Sequence, residues 1–489
     1  MKKTWLFAVL AVLIFPLALQ AKTTVIYHTS DSHGFYYAKD GRGGFAALAG
    51  LLKQEKLPYI LLDSGDFANG TVEAKNSKGI KSVLMMNALG YAASTLGNHE
   101  FDFKDPGVEP MLRAAQFPIL AANFVDRKTG KQPEYLKSYQ IFNVDGVKYA
   151  VIGLGHEYPT NETQKFKILK SSKVLDKVLA EVEAQNPDVI VLVDHNSIAD
   201  DKHGRESTLL KMVTKHNGKI NVVLGGHAHK IIQNAVHNGT LFVESGCYLK
   251  NVSRITVETD DKTGKFVSAT SQIIPLYTQK TGEYAPVAAL ANALMEPGMD
   301  KVLGSASVKL SRMPVKGNQG DSPLNNWVAD VCRAYSGADV FIHNNGGTRV
   351  DLEQGTITKR DLVNMHPFGN KISQVKVSGK FLEKFVKYGL APRNLFSYSG
   401  LQIEYKLRKG KVQDLKIWVN GQALDKNKTY VVATNTYIAE GGSEGWPFKQ
   451  IPAADKKQVG DLSIQEIMEK AIETTSPLGA VETGRIIIK

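Results

Sequence analysis

Seven side chains that commonly bind metal ions are spread through the first half of the chain, each at or just past the end of an apolar, β-rich run. They are Asp31, His33, Asp66, Asn98, His195, His227 and His229. Carboxylate, imidazole and amide groups without any thiolate suit hard or borderline divalent ions. Seven such groups are too many for one tetrahedral ion, but they suit two ions that share a carboxylate. The pattern therefore predicts a two-metal site.

Asp66 is the natural shared ligand, because a carboxylate has two oxygens to offer. One ion is expected to take Asp31, His33 and His229 as its other ligands, and the second ion Asn98, His195 and His227. Two ions can hold a hydroxide between them at neutral pH, and they can neutralise charge on a phosphoryl group. These ligand types admit Zn²⁺, Mn²⁺, Co²⁺ or Fe²⁺, so the metal itself stays open.

A candidate catalytic pair lies beside these ligands. His99 directly follows Asn98, and Asp102 comes three residues later. A histidine next to the metals can donate a proton to a leaving oxygen, and an aspartate can hold its ring in one tautomer. The isolated histidines are expected to be structural or merely exposed; they are His28, His156, His203, His216 and His237.

The composition is that of an ordinary globular protein with a positive surplus. The formal net charge of the 489 residues is +12. Such a surplus favours anionic substrates, although a solvated basic surface without a partner explains it equally well. With no long basic run and no recognition module, we do not expect a nucleic-acid polymer as partner.

The chain divides into three predicted parts after a targeting segment. Residues 1–21 combine a short basic start, an apolar run and a final Ala21, which is typical of a cleaved secretory signal peptide. The mature protein is therefore expected in the periplasm, or secreted, without a stable membrane anchor. Alternating strands and helices predict a layered α/β domain over residues 22–275, a linker helix and hinge over 276–304, and a second α/β domain over 305–489.

The positions of the strands predict where the ligands meet. Strands are predicted over residues 23–30, 59–64, 93–97, 119–123, 149–153, 188–194 and 220–225, with helices over 79–89, 172–185 and 206–216. In the second domain, helices are predicted over 325–335, 380–388 and 462–472, a strand over 338–343, and a hairpin over 401–407 and 412–419. Ligands gather beyond the carboxyl ends of such strands, so the seven side chains are expected at one edge of a single sheet.

The motifs resemble those of a known family. Asp31-Ser-His33-Gly, Gly97-Asn98-His99-Glu100 and Gly226-His227-Ala-His229 are similar to motifs of the calcineurin-like metallophosphoesterases, and more narrowly of the secreted bacterial 5′-nucleotidase and UDP-sugar hydrolase family. The resemblance covers nearly the whole mature chain. It implies an α-β-β-α sandwich followed by a smaller C-terminal nucleotide-binding α/β domain. It also implies hydrolysis of nucleoside 5′-monophosphates, with UDP-sugars or 2′,3′-cyclic nucleotides as extensions.

The same resemblance implies substrate contacts in the second domain. Arg349 is expected to contact phosphate, Phe368 and Tyr437 to stack on the base, and Asn370 to hydrogen-bond it. Two positions depart from the family pattern, because Asn318 stands where an arginine is usual and Ser443 where a carboxylate is usual. Either Arg312 or Lys316 could replace the missing arginine, and Glu444 the carboxylate. The family also implies a domain rotation, for which Gly298 and Gly304 are candidate flexible points.

Other interpretations of the chain stay open. The same metal site could act on a non-nucleotide phosphate or on a sulfur ester. A non-catalytic protein that binds nucleotide or metal is an alternative from another class. Phe368 and Tyr437 could also be core aromatics, with Arg349 as a surface ion-pair partner. The oligomeric state is not specified by the sequence.

Overall fold

The computed structural model describes residues 21–38, 41–199, 207–314, 321–390, 395–442 and 445–489. The predicted signal peptide therefore lies almost wholly outside the described residues, and Ala21 begins the first strand. None of the helices in these ranges has the length and apolar character that a bilayer crossing requires.

The first domain alternates strands and helices as predicted. Its strands are β1 (Ala21–Thr29), β2 (Tyr59–Asp63), β3 (Ala93–Ser94), β4 (Ile119–Leu120), β5 (Phe124–Asp126), β6 (Leu136–Lys137), β7 (Tyr139–Val144), β8 (Val147–Leu154), β9 (Phe166–Ile168), β10 (Val189–Asp194), β11 (Val222–Gly225), β12 (Ile231–His237), β13 (Thr240–Ser245), β14 (Asn251–Asp260) and β15 (Phe266–Pro275). Its helices are α1 (Phe45–Gln54), α2 (Val72–Asn76), α3 (Ile80–Leu89), α4 (Lys104–Arg113), α5 (Ser171–Glu183), α6 (Thr208–Thr214), α7 (Thr278–Thr281) and α8 (Ala285–Ala293).

Two sheets form the centre of this domain. One has the order β15-β14-β1-β2-β3-β4-β6 and the other β12-β13-β11-β10-β8-β7. Residues such as Ile26, Leu62 and Val191 form the apolar layer between the sheets. Helix α5 buries Leu175, Leu179 and Val182 among its apolar positions, at the spacing of one helical face, and packs outside the second sheet. Helices α1, α3 and α4 cover the first sheet, which confirms the expected α-β-β-α sandwich.

The expectation that all seven ligands share one edge of a single sheet is wrong. Asp31, Asp66 and Asn98 follow strands β1, β2 and β3 of the first sheet. His195 and His227 follow β10 and β11 of the second sheet. The sheets pack face to face with these strand ends at the same end of the sandwich, where the His227 N–H donates to Asp31. The strands predicted over 93–97 and 119–123 are also shorter, because the chain leaves the first sheet after two paired residues in each case.

The described residues of the second domain form two larger sheets and one two-stranded sheet. Its strands are β16 (Val302–Ala306), β17 (Val340–Asn344), β18 (Gly355–Thr358), β19 (Lys371–Ser378), β20 (Phe396–Ser399), β21 (Leu401–Arg408), β22 (Lys411–Val419), β23 (Gln422–Ala423), β24 (Thr429–Asn435), β25 (Lys457–Ser463) and β26 (Ile486–Ile488). Its helices are α9 (Pro323–Ser336), α10 (Lys359–Met365), α11 (Gly379–Leu390), α12 (Thr436–Ala439) and α13 (Ile464–Thr475). The strand orders are β20-β17-β24-β19-β25 and β23-β22-β21-β26, and β16 pairs with β18.

The two domains are joined by polar contacts between α2 and α10. The Arg360 guanidinium donates to the Glu73 carboxylate, and both side chains are buried. Lys75 donates to the Pro367 carbonyl oxygen at 2.6 Å. Helix α8 of the predicted linker packs on the core of the first domain through Val287. The chain therefore crosses to the second domain between α8 and β16.

Candidate active site

The first group of predicted ligands meets where β1 and β11 end. The ligand atoms of Asp31, His33 and His229 all lie within 4.8 Å of one another. His33 Nε2 is 3.1 Å from His229 Nε2, and His229 Nε2 is 3.5 Å from Asp31 Oδ1. The His33 Nδ1 lies 2.7 Å from the Asn69 carbonyl oxygen, which sets the ring so that Nε2 faces the group.

The second group meets beside the first. The ligand atoms of Asp66, His195 and His227 also lie within 4.8 Å of one another. His195 Nε2 is 3.0 Å from Asp66 Oδ2, and its Nδ1 lies 2.5 Å from the Ser64 carbonyl oxygen. His227 Nδ1 is 2.9 Å from Asn98 Oδ1. The same Asp66 Oδ2 lies 3.9 Å from His33 Nε2, so this one carboxylate faces both groups.

The backbone at these ligands is strained. Five of the seven predicted ligands have left-handed φ angles, namely Asp31 (51°), His33 (50°), Asp66 (57°), His227 (72°) and His229 (57°). Few residues without a glycine's freedom adopt this conformation, and such strain concentrates at functional sites. The turns at the strand ends thus aim these side chains inward, at a cost that the surrounding fold must offset.

Two glycines let the chain approach the ligand carboxylates. A Cβ at Gly97 would lie 2.1 Å from Asp66 Oδ1, and a Cβ at Gly226 would lie 2.3 Å from Ser30 Oγ and 3.0 Å from Asp31 Oδ2. The predicted motifs Gly-Asn-His-Glu and Gly-Gly-His-Ala-His therefore need these glycines for space.

The charges of the site suit cations. Although burial raises the pKa of Asp66, the imidazoles of His195, His99 and His33 hold it well below its usual range. Burial lowers the pKa of His195, but the carboxylates of Asp66 and Asp31 outweigh this and raise it to about 10. Asp31 and Asp66 are both fully buried, and burial raises the pKa of Asp31 to about 7, so their ionised forms need positive charge beside them. Together with the thiolate-free donor set, this fits a pair of divalent ions.

His99 and Asp102 form the hydrogen-bonded pair that their spacing predicts. His99 Nδ1 lies 2.8 Å from Asp102 Oδ2. Asp102 also accepts from Asn69 Nδ2 at 2.5 Å and from the Thr160 hydroxyl. Although burial lowers it, the charges of Asp66 and Asp102 raise the pKa of His99. Asp102 thus holds the His99 ring at Nδ1, and Nε2 is its other polar atom. The centroids of the His99 and His33 rings lie 5.1 Å apart.

Arg349 of the second domain reaches the same end of the sandwich. The pKa of His229 is lowered to about 3, mainly by burial and next by the positive charge of Arg349. Its carbonyl oxygen accepts from the Tyr248 hydroxyl at 3.4 Å, and its N–H donates to the Met365 carbonyl at 2.8 Å. Arg312 lies next to it, with a guanidinium nitrogen 3.5 Å from the Thr348 carbonyl oxygen. The positive charge of Arg349 therefore acts on His33 and His229 of the first ligand group.

The other predicted substrate residues flank two paired strands of the second domain: Phe368 and Asn370 precede β19, and Tyr437 follows β24. Strands β19 and β24 pair with Ile372 opposite Asn435, and the Thr436 hydroxyl donates to Asn370 Oδ1 at 3.2 Å. Phe368 is half-buried, and Tyr437 is 40% exposed. These two segments are therefore adjacent, as a shared binding surface requires. The departures at Asn318 and Ser443, with Lys316 and Glu444, lie outside the described residues.

Three residues near the site were not predicted to act there. Glu100 accepts from the N–H groups of Asp66 and Gly97 at 3.0 and 2.6 Å, which anchors both ligand loops. His156, expected to be structural, packs its ring on His227 with centroids 4.4 Å apart. Tyr248 contacts the first ligand group. Glu100 stands inside a motif and could have been recognised, whereas His156 and Tyr248 carry no local signal.

Comparison with known proteins identifies the architecture. A family model described as calcineurin-like phosphoesterase matches residues 24–230, and one described as 5′-nucleotidase, C-terminal domain, matches residues 302–450. The chain belongs to the calcineurin-like phosphoesterases with a 5′-nucleotidase C-terminal domain. It is accordingly a metal-dependent phosphoester hydrolase.

Individual relatives agree with this assignment. The chain is 26% identical to endonuclease YhcR of Bacillus subtilis over 487 residues, which cover 93% of this chain but only 39% of that protein. It is 28% identical to protein UshA of Yersinia enterocolitica, with 95% and 94% of the two chains covered. The crystal structure of a 5′-nucleotidase precursor from Thermus thermophilus has the same fold, with a TM-score of 0.80, 23% identity, and coverage of 95% and 99%.

Proposed function

We propose that this phosphoesterase hydrolyses nucleoside 5′-monophosphates in the periplasm, with UDP-sugars or 2′,3′-cyclic nucleotides as further substrates. The proposed division is a cleaved signal peptide over residues 1–21, a dinuclear catalytic domain over 22–275, a hinge segment over 276–304 and a substrate-binding domain over 305–489. Two relatives from Vibrio species are named 5′-nucleotidase, which supports nucleotides as the substrate class. The basic net charge of +12 is consistent with an anionic ester.

The observation that carries the proposal is the position of Asp66 between the two ligand groups. Its Oδ2 lies 3.0 Å from His195 Nε2 and 3.9 Å from His33 Nε2. One carboxylate oxygen that faces two clusters of imidazoles suits a shared ligand. When bound, two divalent ions supply the hydroxide nucleophile and neutralise charge on the phosphoryl oxygens. Zn²⁺, Mn²⁺ and Co²⁺ all suit these ligands.

The protein's own side chains donate the proton and bind the substrate. His99, held at Nδ1 by Asp102, donates a proton from Nε2 to the leaving oxygen. Arg349 holds the phosphate, because a guanidinium fork matches phosphate oxygens. Phe368 and Tyr437 stack on the base, each worth roughly 1–3 kcal/mol. Asn370 hydrogen-bonds the base.

A substrate panel on stripped and reloaded enzyme tests this proposal. The purified protein is freed of metal, reloaded separately with Zn²⁺, Mn²⁺ or Co²⁺, and supplied with AMP, UMP, UDP-glucose, 2′,3′-cyclic CMP, glycerol phosphate and a sulfonated ester. The highest kcat/KM is expected for a nucleoside 5′-monophosphate, and only after reloading. A loaded enzyme that releases no phosphate from any nucleotide would refute the substrate class.

The other outcomes separate the alternatives. Preference for glycerol phosphate or the sulfonated ester would assign the same site to a non-nucleotide ester. Binding of nucleotide without turnover by any metal form would mark a binding protein. Single-stranded DNA belongs in the panel because of the endonuclease relative. Its cleavage at a rate above that of AMP would replace the proposed small-molecule substrate with a polymer.

A further inference from the structure

Each ligand group contains two imidazoles, and one aromatic ring from outside the group contacts both of them. In the second group, the His156 ring lies 4.4 Å from the His227 ring at 30° and 5.8 Å from the His195 ring at 76°. His156 does not belong to the group of mutually close ligand atoms. It therefore contacts the ligands without being placed as one of them.

Tyr248 holds the corresponding position at the first group. Its ring lies 5.5 Å from the His33 ring at 56° and 5.3 Å from the His229 ring at 77°. Tyr248 is 8% exposed and His156 is 7% exposed. The two aromatic side chains thus divide the four ligand imidazoles between them, two each.

We propose that His156 and Tyr248 are positioning residues for separate ions: His156 sets the affinity of the Asp66–His195–His227 group, and Tyr248 that of the Asp31–His33–His229 group. This inference rests on the two-ion site of the proposed function. It adds an independent control of affinity for each ion, which the ligands alone do not provide.

Both rings are fixed from behind. The His156 N–H donates to the Leu96 carbonyl oxygen at 2.8 Å, and the Tyr158 N–H donates to His156 Nδ1 at 3.1 Å. The Tyr158 carbonyl oxygen also lies 3.1 Å from Nδ1. This loop places the ring against the second group and leaves its face free to pack on His227.

Tyr248 is anchored through its backbone and its ring. Its N–H donates to the Asp31 carbonyl oxygen at 2.8 Å, directly beside a ligand of the first group. Its ring packs on Phe35 with centroids 4.7 Å apart, and its hydroxyl donates to the Arg349 carbonyl oxygen at 3.4 Å. The ring therefore has a defined position from which to hold its two neighbours.

Two of the four imidazoles need such support because the fold does not enclose them. His227 is exposed, His229 is only half-buried, and both stand in left-handed backbone on a turn that begins with two glycines. An exposed imidazole that can rotate must be ordered before it binds an ion, which lowers affinity. Residues that orient metal ligands typically contribute 10- to 100-fold in metal affinity.

The test measures the two binding constants separately. Full-length protein is titrated with Mn²⁺ in a metal buffer, and bound ions per chain are counted by elemental analysis after dialysis. We expect His156→Ala and Tyr248→Ala each to weaken one ion by roughly 10- to 100-fold and to leave the other within about 3-fold. His156→Phe and Tyr248→Phe keep a ring and should retain most of the affinity. His237→Ala, an exposed histidine on β12, is the matched control.

Double variants identify which ion each ring supports. His156→Ala should cause less further loss in a His227→Ala background, because its closer ring contact is with His227, and its full effect in a His229→Ala background. Tyr248→Ala should show the opposite pattern.

Three results overturn the inference while the proposed function stands. One is that each alanine variant weakens the binding of both ions equally, and another is that neither variant weakens the binding of any ion in a protein that binds two. The phenylalanine variants guard against misfolding, because folded Phe variants with affinities as low as the alanine variants would also contradict ring packing. A wild-type protein that binds no ion pair would instead refute the proposed function itself, and this inference with it.

Discussion

Replacing Asp102 by asparagine should disable proton donation without disturbing the metal ligands. Asp102 accepts three hydrogen bonds, from His99 Nδ1 at 2.8 Å, from Asn69 Nδ2 at 2.5 Å and from the Thr160 hydroxyl. An asparagine has only one acceptor oxygen and turns a donor toward at least one of these donors. The His99 ring then loses its fixed tautomer and orientation.

The size of the effect follows from the role assigned to His99. A positioned general acid contributes ~10²–10⁴ in rate, which is about 3–5 kcal/mol in the barrier. We therefore expect Asp102→Asn to lower kcat on AMP by about 10²-fold or more, and His99→Asn at least as much. The double variant should be no worse than His99→Asn alone, since the two residues act as one unit.

The assay compares substrates with poor and good leaving groups. Nucleoside alkoxide needs a proton as it leaves, whereas p-nitrophenolate needs little help, so p-nitrophenyl phosphate should lose much less rate than AMP. Metal content, measured in parallel, should stay at the wild-type value. Asp176→Asn is a matched control, because Asp176 lies 3.3 Å from His216 in a histidine–aspartate pair on the surface. Equal losses on both substrates, or loss of metal in step with kcat, would refute the reasoning.

Three other predictions concern the ligand loops, the domain contact and acid stability. Gly97→Ala should expel metal, because its Cβ would lie 2.1 Å from a carboxylate oxygen of Asp66, the proposed shared ligand; bound metal per chain measures this. Arg360→Met should destabilise the protein by about 3–5 kcal/mol in urea unfolding, since it removes the guanidinium that pairs with the buried Glu73 carboxylate. Burial raises the pKa of Glu55, but hydrogen bonds, led by that of Arg254, lower it to about 2. The stability contributed by ionised Glu55 is fully present above the ordinary pKa of a glutamate and is lost as the pH falls toward 2. Arg254→Met should therefore lower the free energy of unfolding by on the order of 2 kcal/mol at pH 7 and by clearly less at pH 3.

Each of these has a control that can contradict it. Gly369→Ala introduces a Cβ with nothing within 4 Å, and a similar loss of metal there would discredit the steric argument for Gly97. The double variant Arg360→Met/Glu73→Leu should recover most of the stability, and a purely additive loss would show that the charges are not coupled. A pH-independent effect of Arg254→Met would remove the charge of Glu55 from the explanation.

The sequence predicted which of the proposed ligands come together because each motif is local. Asp31, Asp66, Asn98, His195 and His227 each follow a short apolar run, and a strand end places the next residues at a sheet edge whatever the neighbouring strand is. Which sheet a strand joins depends on long-range pairing, and the alternation of apolar residues does not record it. For that reason the single-sheet expectation was wrong although the residues still converge.

Contacts between distant segments could not be predicted from the sequence for the same reason. His156 looked like any isolated histidine, because its importance comes from a ring packed on His227, seventy-one positions later in the sequence. Glu73 and Arg360 are separated by 287 positions, and nothing local marks either as a partner. Packing of this kind is specified by the whole fold, so it appears only in three dimensions.

The left-handed backbone at five ligand positions limits how this chain can evolve. Substitution by a branched residue such as valine would remove the ligand atom and would also strain the left-handed turn. Both effects act against such a substitution. Descendants that abandon hydrolysis should therefore drift at Asp31, His33, Asp66, His227 and His229 mainly toward glycine and asparagine. The left-handed turns would then still identify such descendants as relatives after hydrolase activity is lost.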